Sequence, residues 1–231
     1  MNRVHCIAAL AAGAALSLSS GAHAESFFEV EAGLGVTHFD IPDGRWNQQG
    51  SPQSALHVDF PAFKIGTNFR VYEGEKFGVR AHVDYVNLGH LSARCECTED
   101  RNYDLATKKV LDPSIPTANL SGSGNAQGVA LTLEPYFLYR GWHIGVEAGL
   151  FPYRPSYSVS AFWHLDGSTH TYDTPHTLQW GQVVGLNVQR GNFGISYQYY
   201  RLPTRYDDEH NPAMYKGAHV LMLTVNTNGL F

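Results

Sequence analysis

The sequence predicts an all-β fold, an eight-stranded antiparallel transmembrane β-barrel, on three observations. Apolar and polar residues alternate with period two through eight stretches, the connections between them alternate between short and long, and the last stretch ends on an aromatic residue. Period-two alternation means a strand whose two faces meet different surroundings. A final strand of this kind needs a partner, and in a closed barrel that partner is the first strand, which removes both sheet edges.

The first stretch runs from Phe27 to His38, with Phe28, Val30, Ala32, Leu34 and Val36 opposite Glu29, Glu31, Gly33, Gly35 and Thr37. The second, His57 to Val71, sets Phe63, Ile65, Phe69 and Val71 against Lys64, Gly66, Asn68 and Arg70, with Pro61 removing a ladder donor. Phe77 to Leu88 opposes Val79, Ala81 and Val83 to Arg80, His82 and Asp84. Gln127 to Tyr139 opposes Val129, Leu131 and Leu133 to Ala130, Thr132 and Glu134, with Pro135 as a second local break. Trp142 to Phe151 carries Ile144, Val146 and Ala148 against His143, Gly145 and Glu147. Leu178 to Gln189, Phe193 to Arg201 and Gly217 to Phe231 complete the set.

The short connections are Tyr72 to Lys76, Arg140-Gly141 and Arg190-Gly191-Asn192, each with the glycine that tight hairpins favour. The long ones are Phe39 to Leu56, Gly89 to Ala126, Pro152 to Thr177 and Leu202 to Lys216. Four long loops on one rim and tight turns on the other is the pattern of a membrane barrel. An even strand number puts both termini on the rim of the short turns. Trp142, Tyr139, Phe193, Phe77 and Phe69 fall beside those turns, with Phe27, Phe28 and Phe231, where an interfacial aromatic girdle belongs.

Residues 1–24 read as a secretory signal peptide: Arg3 in the n-region, an apolar Ile7 to Leu18, and Ala22-His23-Ala24 as the cleavage site. The apolar run is short of the roughly 20 residues of a helical span. Residues 25–231 then form one barrel domain with 15 basic and 21 acidic side chains, a formal charge of −6. No basic stripe suits nucleic acid. Mean hydropathy is −0.24 and no long apolar run follows residue 24, which excludes helical spans but not strands whose faces average out.

With the apolar face turned to lipid, the interior receives Glu29, Glu31, Asp84, Glu134 and Glu147 against Lys64, Arg70 and Arg80, with His82, His143, Gln179 and Gln198. Buried charges persist when paired or hydrogen-bonded, so a cross-barrel ion-pair network is expected. An eight-stranded interior is nearly filled by side chains, which leaves little lumen for conduction.

The signal peptide, the opening Phe27-Phe28-Glu29-Val30-Glu31-Ala32-Gly33-Leu34-Gly35, the segment Tyr85-Val86-Asn87-Leu88-Gly89 and the terminal Phe231 resemble the small outer-membrane β-barrels, the OmpA-like barrel superfamily in its widest sense. The resemblance covers essentially all of residues 25–231 and is architectural, not catalytic. It implies an outer-membrane location, with lipid and lipopolysaccharide around the barrel and the barrel assembly machinery reading Phe231 as an insertion signal. The chain is expected to lack the Pro-rich linker and peptidoglycan-binding domain of two-domain members, so a tethering role is not implied. A structural or surface-interaction role, in adhesion or envelope integrity through a surface or host factor, is the expectation. No cofactor is implied.

Cys95-Glu96-Cys97 lies in the longest connection, and in an exported chain reads as a local disulfide rather than a metal pair. His164, His170 and His176 have a spacing of six that matches no ligand box, and with Asp207-Asp208-Glu209 they read as solvated loop residues. Two rivals stand. Barrels of this size include lipid A deacylases and palmitoyltransferases, and His164, Asp166 and Ser168 supply the composition of a catalytic triad without a family motif. A soluble periplasmic ligand-binding barrel would need apolar residues inward and leave the aromatic set as an exposed hazard.

Overall fold

A computed structural model describes residues 28–40, 55–98, 103–104, 109–110, 117–163, 167–173, 177–203 and 214–227. Twelve strands form: β1 (Phe28–Asp40), β2 (Ala55–Phe60), β3 (Ala62–Glu73), β4 (Phe77–Thr98), β5 (Tyr103–Asp104), β6 (Lys109–Val110), β7 (Thr117–Tyr139), β8 (Trp142–Trp163), β9 (Thr169–Asp173), β10 (Gln179–Arg190), β11 (Phe193–Arg201) and β12 (Gly217–Asn226). Eight of them close an antiparallel ring in the order β1, β3, β4, β7, β8, β10, β11, β12. The fold is an all-β, eight-stranded antiparallel barrel.

The seam that closes it pairs β1 with β12 from Glu31↔Asn226 to Asp40↔Gly217. Beyond the last pair, Thr227 N–H donates to the Val30 carbonyl at 3.0 Å, and Val30 N–H donates to Thr227 Oγ1 at 3.1 Å. Both ends of the described ring therefore meet at the rim of the short turns. Those turns are tight. Arg140 and Gly141 have φ of +50° and +79°, the two positive values of a two-residue hairpin whose twist matches its strands.

The faces separate as their alternation requires. On β10 every second residue from Gln179 to Gln189 is buried, and the intervening Trp180, Val184, Leu186 and Val188 are exposed. The same parity exposes Leu34, Val36, Val83, Leu131, Ile144, Val146, Leu221 and Leu223 while burying Glu29, Glu31, Lys64, Asp84, Glu134 and Glu147. Apolar outside and charged inside inverts the plan of a water-soluble protein. Phe77, Tyr139, Trp142 and Phe193 ring the lower edge of this belt, with Arg140 over Tyr139 and Arg190 over Trp142 at 5.2 Å. Tyr85 and Trp180 stand at its upper edge.

Strand length departs from the sequence reading. The 12 residues of β10 extend ~40 Å, about 30 Å of height at a tilt near 40°, which matches a hydrocarbon band of roughly 25 Å. In contrast β4, β7 and β8 have 22, 23 and 22 residues, roughly 55 Å of height at the same tilt. Much of the expected loops Gly89 to Ala126 and Pro152 to Thr177 is strand. β4 and β7 stay paired out to Thr98↔Thr117, and β8 turns back through β9. Cys95 and Cys97 thus lie on the β4 backbone, paired with Leu120 and Ala118, instead of in a loop.

Two breaks mark where this extension begins. Pro61 separates β2 from β3, and β2 then continues the sheet against β4. On β4 a bulge shifts the register between Asn87 and His90. Gly89 sits there at φ +87°, with its N–H donating to Asn87 Oδ1 at 2.8 Å. The extra residue moves the inward face from Val86 and Leu88 to Leu91 and Ala93.

Leu186→Arg, at mid-height on the apolar belt, is expected to lower unfolding free energy in phospholipid vesicles by about 2–4 kcal/mol. Ser158→Arg, above the belt, should change it by less than ~0.5 kcal/mol in the same denaturant titration.

Candidate functional site: a layered interior beneath a protruding sheet

The interior is built in layers, each set by the register of the strands around it. Nearest the short turns, the Glu29 carboxylate meets Arg70 at 3.1 Å and Arg80 at 3.9 Å. Arg70 also reaches the exposed Glu73 at 3.1 Å. Arg80 lies over the Tyr136 ring at 5.0 Å, and Tyr136 stacks on His143 with centroids 3.9 Å apart. Arg70, Glu73, Arg80, Tyr136 and His143 line a cavity of about 180 Å³ that includes Gln189 and Gly191 at the mouth of the barrel.

The middle layer is more densely charged. Lys64 Nζ contacts Glu31 directly and lies 3.8 Å from Asp84. The pairings Gly33↔Lys64 and Gly66↔Asp84 bring these groups across neighbouring strands, and both glycines leave the room that the side chains fill. Asn68 donates to Glu31 at 2.9 Å. The Glu134 carboxylate receives His82 Nε2 at 2.8 Å and His143 Nε2 at 3.3 Å. A Cβ at Gly145 would collide with that carboxylate. Glu147 accepts from Thr132 Oγ1 at 2.6 Å and Gln198 Nε2 at 2.7 Å, and Gln198 in turn accepts from Tyr200 at 2.8 Å.

Above this lies a layer that the sequence reading did not anticipate. Phe39, Leu88, Leu91, Phe151, Tyr153, Tyr157, Tyr200, Leu202, Met214, Tyr215 and Met222 pack into one buried cluster across the barrel. Phe151 and Tyr200 meet edge to face at 4.8 Å, and Phe39 lies 5.4 Å from Tyr215. Three of the cluster's hydroxyls find acceptors at the margins: Tyr153 donates to Gln179 at 2.9 Å, Tyr200 to Gln198 at 2.8 Å, and Tyr215 to the Asn125 carbonyl at 3.0 Å. The signal was present in the sequence as Tyr153, Tyr157, Met214 and Tyr215, but these lay in connections assigned to loops.

The protruding sheet carries the alternation outward. Its inner face holds Leu91, Ala93, Leu120, Val159 and Ala161, against which Tyr172 packs. The outer face is a hydroxyl array, with Ser92↔Ser123, Ser123↔Ser158, Ser121↔Ser160 and Ser160↔Thr171 as facing pairs. Ser160 and Thr171 hydroxyls lie 3.1 Å apart. All five residues of β9 except Tyr172 are exposed, including His170.

Glu29, Glu31, Lys64, Arg70, Arg80, Asp84, Glu134 and Glu147 are thus brought into contacts around one interior, divided between two layers. The side chains of Cys95 and Cys97, the signal segment 1–24, Phe27, Phe231, His164, Asp166, His176 and the 207–209 acidic cluster lie outside the described residues. Ser168 is described, whereas His164 and Asp166 are not.

No protein-family model matches the chain, and no curated protein matches it. Among solved structures, the chain is similar to Ail, the attachment invasion locus protein of Yersinia pestis. In complex with the heparin analogue sucrose octasulfate, that structure is 12% identical with a TM-score of 0.36, over 86% of this chain and 98% of that one. A second Ail structure is 13% identical with a TM-score of 0.33, over 86% and 97%.

Lys64→Met should destabilise the folded barrel by about 3–5 kcal/mol, because it strands buried carboxylates without a cation. Adding Glu31→Gln should recover part of that loss. Denaturant titration of the single and double variants measures both.

Proposed function

We propose that the protein is an integral outer-membrane barrel with a structural or surface-interaction role, a filled interior and no enzymatic activity. The observation that carries this reading is the inversion of its faces: a continuous apolar belt of membrane height around a charged interior. In water such a belt would be an aggregation hazard, whereas in a bilayer it is the required surface. Closure supports the same reading, since a spanning sheet must leave no unpaired edge in hydrocarbon.

The surface role belongs to the protruding sheet. Its polar outer face and the exposed β9 would stand beyond the bilayer, within reach of lipopolysaccharide sugars or of a surface or host factor. The interior carboxylates and histidines bond to one another beneath a packed apolar layer, which suits stability better than turnover. The soluble ligand-binding alternative is disfavoured by the charged inner and apolar outer faces. Signal-directed export, insertion through the barrel assembly machinery with Phe231 as its cue, and a Cys95–Cys97 disulfide belong to the same proposal.

Membrane fractionation with electrophoresis of boiled and unboiled samples tests it. The expected result is an outer-membrane band that migrates differently when unboiled. A wholly periplasmic protein with no shift would remove the membrane reading.

A further inference from the structure

We infer that the middle layer of the barrel is a binding site for a divalent first-row transition-metal ion, with His82, Asp84 and Glu147 as its ligands. One ligand atom from each of the three lies within 4.8 Å of the others, and all three side chains are buried. An acidic cluster alone would not indicate an ion. The neighbours of these residues do.

His82 is 1% exposed and commits Nε2 to Glu134 at 2.8 Å, while its Nδ1 has no hydrogen-bond partner among the described residues. An imidazole that gives one N–H to a carboxylate and keeps its other nitrogen unpartnered has the bonding pattern that orients metal-bound histidines and raises their basicity. Asp84 is fully buried, and neither carboxylate oxygen has a hydrogen-bond partner among the described residues. Its contact with Lys64 is the longer of that lysine's two. Glu147 is held from outside by Thr132 and Gln198, one donor on each oxygen, which leaves further lone pairs free.

Charge balance points the same way. Before any histidine is counted, the interior carboxylates Glu29, Glu31, Asp84, Glu134 and Glu147 exceed the cations Lys64, Arg70 and Arg80 by two negative charges. An uncompensated buried charge is strongly unfavourable. A divalent ion supplies the two positive charges that are missing. One imidazole and two carboxylates form a mixed nitrogen and oxygen donor set that suits Zn²⁺, Mn²⁺ or Fe²⁺. Metal–ligand bonds of ~2.0–2.2 Å require the three side chains to draw together by roughly an ångström.

The test uses the full chain purified folded in detergent, stripped with chelator and titrated with Zn²⁺ against a chromogenic competitor. About one equivalent should bind per chain, and His82→Ala or Asp84→Asn should each weaken binding by about tenfold or more. His170→Ala, on exposed β9, should leave it unchanged, and unboiled migration verifies that each variant is folded. No binding, binding unaffected by His82→Ala, or loss in His170→Ala would overturn the inference. Zinc X-ray absorption of the unmodified chain decides the matter without variants. One imidazole with oxygen ligands is expected, and two or more imidazoles would assign the ion to surface histidines and overturn the interior site.

Discussion

In the proposed membrane setting a sheet surrounded by hydrocarbon has nowhere to hide an unpaired backbone N–H or carbonyl, and ring closure, on which the other features of the molecule depend, answers that constraint. The β1–β12 seam meets it with ten facing pairs, and Thr227 extends the seam by a backbone and a side-chain bond to Val30. Once the ring is closed, the pleat decides the rest. Each strand must present one set of side chains to the surroundings and the alternate set to a narrow interior.

That interior accepts charge only if it is balanced locally. Glu31, Lys64 and Asp84 converge from three adjacent strands because glycines at positions 33 and 66 give up the space that the lysine and aspartate occupy. Toward the long-strand end, the interior changes to Phe151, Tyr153, Tyr200 and Met222, a packed apolar layer over the polar one. The Tyr200–Gln198–Glu147 hydrogen bonds tie the two together. The barrel is filled in two different ways, electrostatically near the short turns and by close packing above.

The face of each membrane-height strand was legible in the sequence, because a period of two is preserved wherever one side meets a different medium. The positions of Glu29, Lys64, Asp84, Glu134 and Glu147 followed from that parity alone. The upper halves of β4, β7 and β8 were not legible. Ser121-Gly122-Ser123-Gly124-Asn125 has weak strand propensity and is held by pairing on both sides, which a local reading does not see. Pro152 and Pro155 read as strand breakers in β8, yet both are accommodated within it. The bulge at Gly89 reverses the parity of β4, so the alternation that continues beyond it is out of phase with what precedes it. The apolar layer was missed for the same reason, since many of its residues come from those segments.

The most direct test of the account is a nitroxide scan along β10, one label at a time from Gln179 to Arg190, with the barrel reconstituted in phospholipid vesicles. Collision with dissolved oxygen should alternate strictly, high at Trp180, Val184, Leu186 and Val188 and low at Gly181, Val183, Gly185 and Asn187. Oxygen accessibility that is uniform along the strand, or high at the second set and low at the first, would contradict a lipid-facing apolar belt around a filled interior.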